Sequence, residues 1–134
     1  MAAEGLTTIK SNFGPKDTMS RLEAEVKARG MTVFAHLPHA VGAAAVGVSL
    51  RPNDVLIFGN AKVGTPLMQS APTIGIDLPL KVLVWQDAEG STWLSYNDPA
   101  WLARRHGLGP DAEATVKTLA GALNAVTAAA AGSP

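Results

Sequence analysis

The sequence predicts one α+β domain, and three kinds of stretch make the prediction. Val55–Phe58 and Leu80–Trp85 are dense apolar runs, rich in β-branched and aromatic residues and bounded by glycine and proline, the pattern of buried strands. Thr92–Asn97 alternates behind the loop Asp87–Ser91 and should pair back antiparallel as a hairpin. Met19, Leu22 and Val26 recur at helical spacing between Asp17 and Arg29, so that helix carries an apolar stripe to lay on a sheet. At 134 residues the chain is the size of one domain with its own core.

Leu6–Ser11, short and containing Thr and Ile, reads as the first strand, and Asn12–Pro15 breaks it. Asp17 is an N-cap for the first helix, and Gly30 is available as its left-handed C-terminal residue. Glu23 with Lys27, and Glu25 with Arg29, stand in the favourable i,i+4 order on the outer face. Met31–Leu37 follows as a strand, with Met31, Val33, Ala35 and Leu37 on one face and Thr32, Phe34 and His36 on the other. Pro38 opens a turn or short helix through HAVGAAAVG, where Gly42 and Gly47 should let a neighbouring backbone approach.

The central strand is Asp54–Gly59, and a connection punctuated by glycine and proline leads from it to the strand Leu80–Gln86. Asp98 and Pro99 cap and open a short helix that ends at Gly107. Gly109-Pro110-Asp111 breaks the chain again before a last helix, about Ala112–Ala129, with Val116, Leu119, Leu123 and Val126 as its stripe. Residues 131–134 should fray.

Composition narrows the function classes. Apolar residues make up 47% and charged residues 16%, which argues against disorder and leaves surface that a second copy would cover, so a homodimer is expected. Eleven basic residues balance eleven acidic ones, giving none of the basic footprint that nucleic acid requires. Without cysteine there is no disulfide, thiolate metal site or cysteine nucleophile. The apolar stretch Leu119–Ala131 is interrupted by Asn124 and Thr127, and no basic-then-apolar leader opens the chain. The expectation is a cytoplasmic protein without a membrane span.

The stretches VFAHLPHAVGAAAVGVSLRP, LIFGNAKVGTPLM, IDLPLKVLVWQD and YNDPAWLARRHG resemble the bacterial family known as domain of unknown function 302, over about Thr18–Gly107. The pattern IFGN-x-x-x-GT followed by DLPLK is specific to that resemblance. It implies an antiparallel sheet with helices packed on one face, in β-α-β(4)-α order, of the TATA-binding-protein-like type and often paired as a homodimer. Ala61 departs from the pattern, which commonly has proline after Gly-Asn. The resemblance implies no reaction.

The candidate site lies in the central connection. Gly59–Thr65 reads G-x-x-x-x-G-T, but a nucleotide-hydrolysing loop needs lysine directly after the second glycine, and Thr65 stands there. Anion binding by backbone N–H groups remains open beside a structural turn in which Gly59 and Gly64 take positive φ. Lys81 shares a strand face with Leu83 and Trp85, a charge at the head of an apolar row, with Asp77 as an ion-pair partner and Asn60 as a polar neighbour. His36 and His39 could meet a metal only if the turn between them folds the rings together, and no metal or cofactor is expected.

Trp85, Trp93, Trp101, Phe34, Phe58 and Tyr96 read first as core and interface anchors, and second as the lining of a pocket for an apolar ligand. The functional expectation is a homodimeric protein binding a small anionic or carbonyl-bearing ligand in one concave site built from Asn60, Gly64, Thr65, Asp77, Lys81 and His39. The alternatives are an acid/base or Schiff-base enzyme using Lys81, or a structural interaction module.

Overall fold

The computed structural model describes residues 3–132. Five strands, β1 (Leu6–Lys10), β2 (Thr32–Pro38), β3 (Asn53–Gly59), β4 (Leu80–Gln86) and β5 (Thr92–Asn97), form one sheet in the order β1-β5-β4-β3-β2. Every neighbouring pair is antiparallel. The helices are α1 (Pro15–Ala28), α2 (His39–Ala45), α3 (Ala61–Ser70), α4 (Pro99–His106) and α5 (Glu113–Ala131), with short 3-10 turns at Pro72–Ile76 and Pro110–Ala112.

Strand alternation sorts the sheet into two unlike faces. Leu56 lies opposite Val82, Phe58 opposite Leu80, and Val84 opposite Leu94, all buried under α1 and α5. The other face carries Val55, Ile57, Lys81, Leu83, Trp85 and Trp93, all half-exposed. Trp85 and Trp93 stack there across the β4–β5 pair with ring centroids 6.2 Å apart. The expected stripes Met19/Leu22/Val26 and Val116/Leu119/Leu123/Val126 are the buried sides of α1 and α5.

Several local expectations are corrected. The N-cap of α1 is Gly14, not Asp17, because Pro15, whose fixed φ and missing N–H suit the first helical position, starts the helix earlier. β2 carries a bulge between Val33 and Ala35, so Val33 pairs with Phe58 on the helix side while Ala35 and Leu37 pair with Ile57 and Val55 on the open side. The single face expected for Met31 to Leu37 is therefore split. Glu23 and Lys27 pair at 3.3 Å, but no Glu25–Arg29 pair forms. Gly42 faces open space, and Gly47 serves a left-handed turn at φ +76° rather than a close packing.

Trp85 and Trp93 belong to the open face rather than the core. α5 does not fray at 131–132: Ala131 is buried, and Arg21 donates to the carbonyls of Ala129 and Ala130, both at 3.3 Å. Residues 133–134 lie outside the described residues.

The β4–β5 turn depends on one carboxylate. Asp87 Oδ1 accepts from the backbone N–H of Glu89 and Ser91 at 3.0 and 2.9 Å, and Oδ2 accepts from Trp93 Nε1 at 2.8 Å. The Trp93 bond first, and then the two backbone N–H groups, hold this carboxyl below its ordinary pKa of 3.8. A depressed folded-state pKa means that the unfolded chain takes up the proton more readily. The stabilisation is therefore present above the ordinary value and is lost as pH falls through the lower folded one. Asp87→Asn should unfold more readily than the parent at neutral pH. That gap should narrow between about pH 5 and pH 2 in urea titrations, and a gap constant with pH would refute the assignment.

Candidate functional site

Asn60 organises the connection that the sequence leaves as a loop. Its backbone is extended, its Oδ1 accepts from Lys62 N at 2.9 Å, and its carbonyl accepts from Val63 and Gly64 N at 3.0 Å. That is an N-cap, and it starts α3 despite Gly64 and Pro66 within the helix. Gly59 and Gly64 accordingly do not take positive φ. The N–H groups of Lys62, Val63 and Gly64, which an anion at this turn would use, bond to Asn60 instead.

A cavity of about 490 Å³ opens between α3 and α5, where β2 and β4 begin and β3 ends. That volume lies in the range of small-molecule sites, roughly 300–1,000 Å³. Its interior is apolar: Met31 from β2's approach, Val63 and Met68 from α3, Leu78 and Leu80 at the start of β4, Leu119 and Ala122 from α5. Gly59 closes the sheet end, where an added Cβ would lie 3.5 Å from Pro79 and 3.7 Å from Phe34. The β2 bulge re-aims Phe34, which is 57% exposed, onto the cavity mouth. Arg29, Asn60, Thr65 and Thr118 complete the lining.

Of the residues expected to form one site, the cavity gathers Asn60, Gly64 and Thr65. Lys81 lies opposite Ile57 on the open face of the sheet, beside Val55, Leu83 and Trp85 in a shallower hollow of about 320 Å³. Its ammonium donates to the carbonyls of Pro79 and Asp77 at 3.1 and 3.3 Å, not to a carboxylate. The Asp77 carboxylate instead accepts two bonds from Arg105, at 2.9 and 3.0 Å, and one from His106 Nε2, while His106 Nδ1 bonds the Thr73 hydroxyl at 2.8 Å. The expected Asp77–Lys81 ion pair does not form; α4 supplies Arg105, whose Nη1 spans both carboxylate oxygens, together with His106.

His39 opens α2, is exposed, and lines neither hollow. His36 bonds Asp54 at 2.6 Å, and no group of three or more metal-type ligands occurs among the described residues. Sequence reasoning missed Arg29 and Thr118, which enter the cavity from the end of α1 and from α5, elements far apart in the chain. The one signal on hand was Arg29 itself, a long cation at a helix end beside an apolar strand.

Fold and cavity together define a small α+β protein, an antiparallel sheet with helices on one face, with one apolar hollow at the sheet's end. Residues 7–126 match the family described as Domain of unknown function DUF302, and the chain belongs to that family. A crystal structure of an uncharacterized conserved DUF302 protein from Bacillus stearothermophilus superposes with a TM-score of 0.82 at 21% identity, covering 93% of this chain and 97% of the other. At that identity the likeness shows the fold.

Among curated proteins, the chain is 44% identical over 128 residues to the fluoride-specific ion channel FluC 1 of Brucella suis, covering 96% of this chain and 50% of that protein. The fluoride-specific ion channel FluC 1 of Brucella abortus matches at 44% over 96% of this chain and 47% of its own length. The chain thus spans about half the length of the curated relatives it matches. Among the described residues no helix is long and apolar enough to cross a membrane.

Proposed function

We propose that this chain is a small-molecule-binding protein that works as a homodimer, with the α3–α5 cavity as its site and an anionic or carbonyl-bearing molecule as its ligand. The observation that carries this reading is the cavity of about 490 Å³, apolar inside and polar at its rim, beside the Asn60-capped start of α3. The dimer is supported by surface that a single copy leaves bare. Residues 40–50 contain no charged side chain, α2 buries nothing, and Val41, Val46, Val48 and Leu50 are 46–77% exposed. In this reading the second copy covers that arm and the open sheet face, the surface that a TATA-binding-protein-like saddle leaves bare.

Lys81, tied to two backbone carbonyls outside the cavity, serves the turn into β4 rather than catalysis. The test is a thermal-shift screen of small carboxylates, ketones and aldehydes on the parent and on Ala122→Phe, which fills the cavity from α5. A ligand of the cavity stabilises the parent and not the filled variant. Hits that persist in Ala122→Phe would refute the site. Sedimentation of Val46→Glu, expected as a monomer where the parent is a dimer, tests the assembly separately.

A second reading follows from the Brucella relatives, fluoride-specific ion channels by name, of which this chain matches about half. There the chain is a ligand-responsive module acting on a channel supplied by another segment. Adding this protein to vesicles holding the remaining half of the Brucella suis relative should change fluoride efflux, and unchanged efflux would argue against it.

A further inference from the structure

We infer that the ligand of the α3–α5 cavity is amphipathic, an unbranched or aromatic hydrocarbon body carrying a carboxylate, and that Arg29 selects the charged end. This rests on the reading of the cavity as the binding site and adds the chemical class. The lining is ordered by depth. Leu80, Leu119 and Gly59 are buried and Val63, Met68 and Leu78 half-buried, whereas Arg29, Asn60, Thr65 and Thr118 are all exposed. Only apolar groups therefore meet whatever fills the interior, and every side-chain polar contact is made at the mouth. A wholly polar ligand would lose its hydration inside without recovering hydrogen bonds there.

The charge at the mouth has one sign. Arg29 is the charged residue of the lining, no acidic residue joins it, and Arg29 forms no ion pair among the described residues. Its i−4 neighbour Glu25 is available in sequence, yet the two do not pair. A planar guanidinium with free donors matches a carboxylate bidentately. The Thr65 hydroxyl and the Asn60 amide nitrogen offer the same end of the ligand neutral hydrogen bonds, whereas the Thr118 hydroxyl donates to the Ala114 carbonyl at 3.0 Å. The body is held by apolar burial, and the end by Arg29.

The test uses a matched pair of probes, octanoate and 1-octanol, titrated calorimetrically below their aggregation limits into the parent, Arg29→Met and Ala122→Phe. The parent should bind octanoate about tenfold more tightly than octanol, the preference expected of one charge-assisted bond at an exposed site. Arg29→Met, which keeps the apolar stem, should bind both equally while octanol affinity stays at the parental level. Equal affinities in the parent, or an octanoate preference that survives Arg29→Met, would overturn the head-group assignment and leave the cavity in place. If neither probe binds the parent, or both bind Ala122→Phe as well as the parent, the cavity reading itself falls.

Discussion

Phe58→Ala should lower the free energy of unfolding by about 3–5 kcal/mol, the cost of deleting a large buried aromatic side chain and leaving a hollow its neighbours only partly refill. Phe58 is fully buried, sits opposite Leu80 and Val33 on the helix side of the sheet, and is the largest of the fully buried side chains. Trp85 is larger but half-exposed on the other face, so Trp85→Ala removes area that one copy never fully buried. Urea unfolding of the two variants at protein concentrations where the parent is monomeric separates these cases. A midpoint shift for Trp85→Ala as large as that for Phe58→Ala would mean that the core had been assigned to the wrong face.

That contrast also marks how far the sequence could be read. Strand identity was legible wherever short apolar runs met glycine or proline, and α1 and α5 were legible from their stripes, because both signals are local. The phase of β2 was not. A bulge is fixed by pairing with β3, and nothing between Met31 and Leu37 distinguishes the extra residue from its neighbours. α3 was hidden by Gly64 and Pro66, residues that disfavour a helix interior by roughly 1 and 3 kcal/mol. The Asn60 cap, and Leu67 buried from α3, outweigh them. That Asn60, Gly64 and Thr65 line one hollow follows from their closeness in sequence. The assignment of Lys81 to the same hollow failed on strand parity: Lys81 and Leu80 are adjacent, and adjacent residues of a strand face opposite sides.

Asp77→Ala should cost about 2–3 kcal/mol, whereas Lys81→Met should lie within about 1 kcal/mol of the parent. The difference follows from what each substitution leaves behind. Without Asp77, His106, whose side chain is 7% exposed, loses its carboxylate, and Arg105 loses both of its bonds. The figure is set below the range for a fully buried pair because the Arg105 side chain is 51% exposed. Without the Lys81 ammonium, two carbonyls lose a donor at a half-exposed position where water can replace it.

The functional consequence lies one residue on. Asp77 adjoins Leu78 and Pro79, which wall the cavity, so α4 holds the cavity's inner edge through a carboxylate that itself lies outside the lining. Amide exchange over residues 72–79 should therefore accelerate in Asp77→Ala, and ligands of the cavity should bind more weakly. Faster exchange in Lys81→Met, with Asp77→Ala unchanged, would transfer that role back to the lysine.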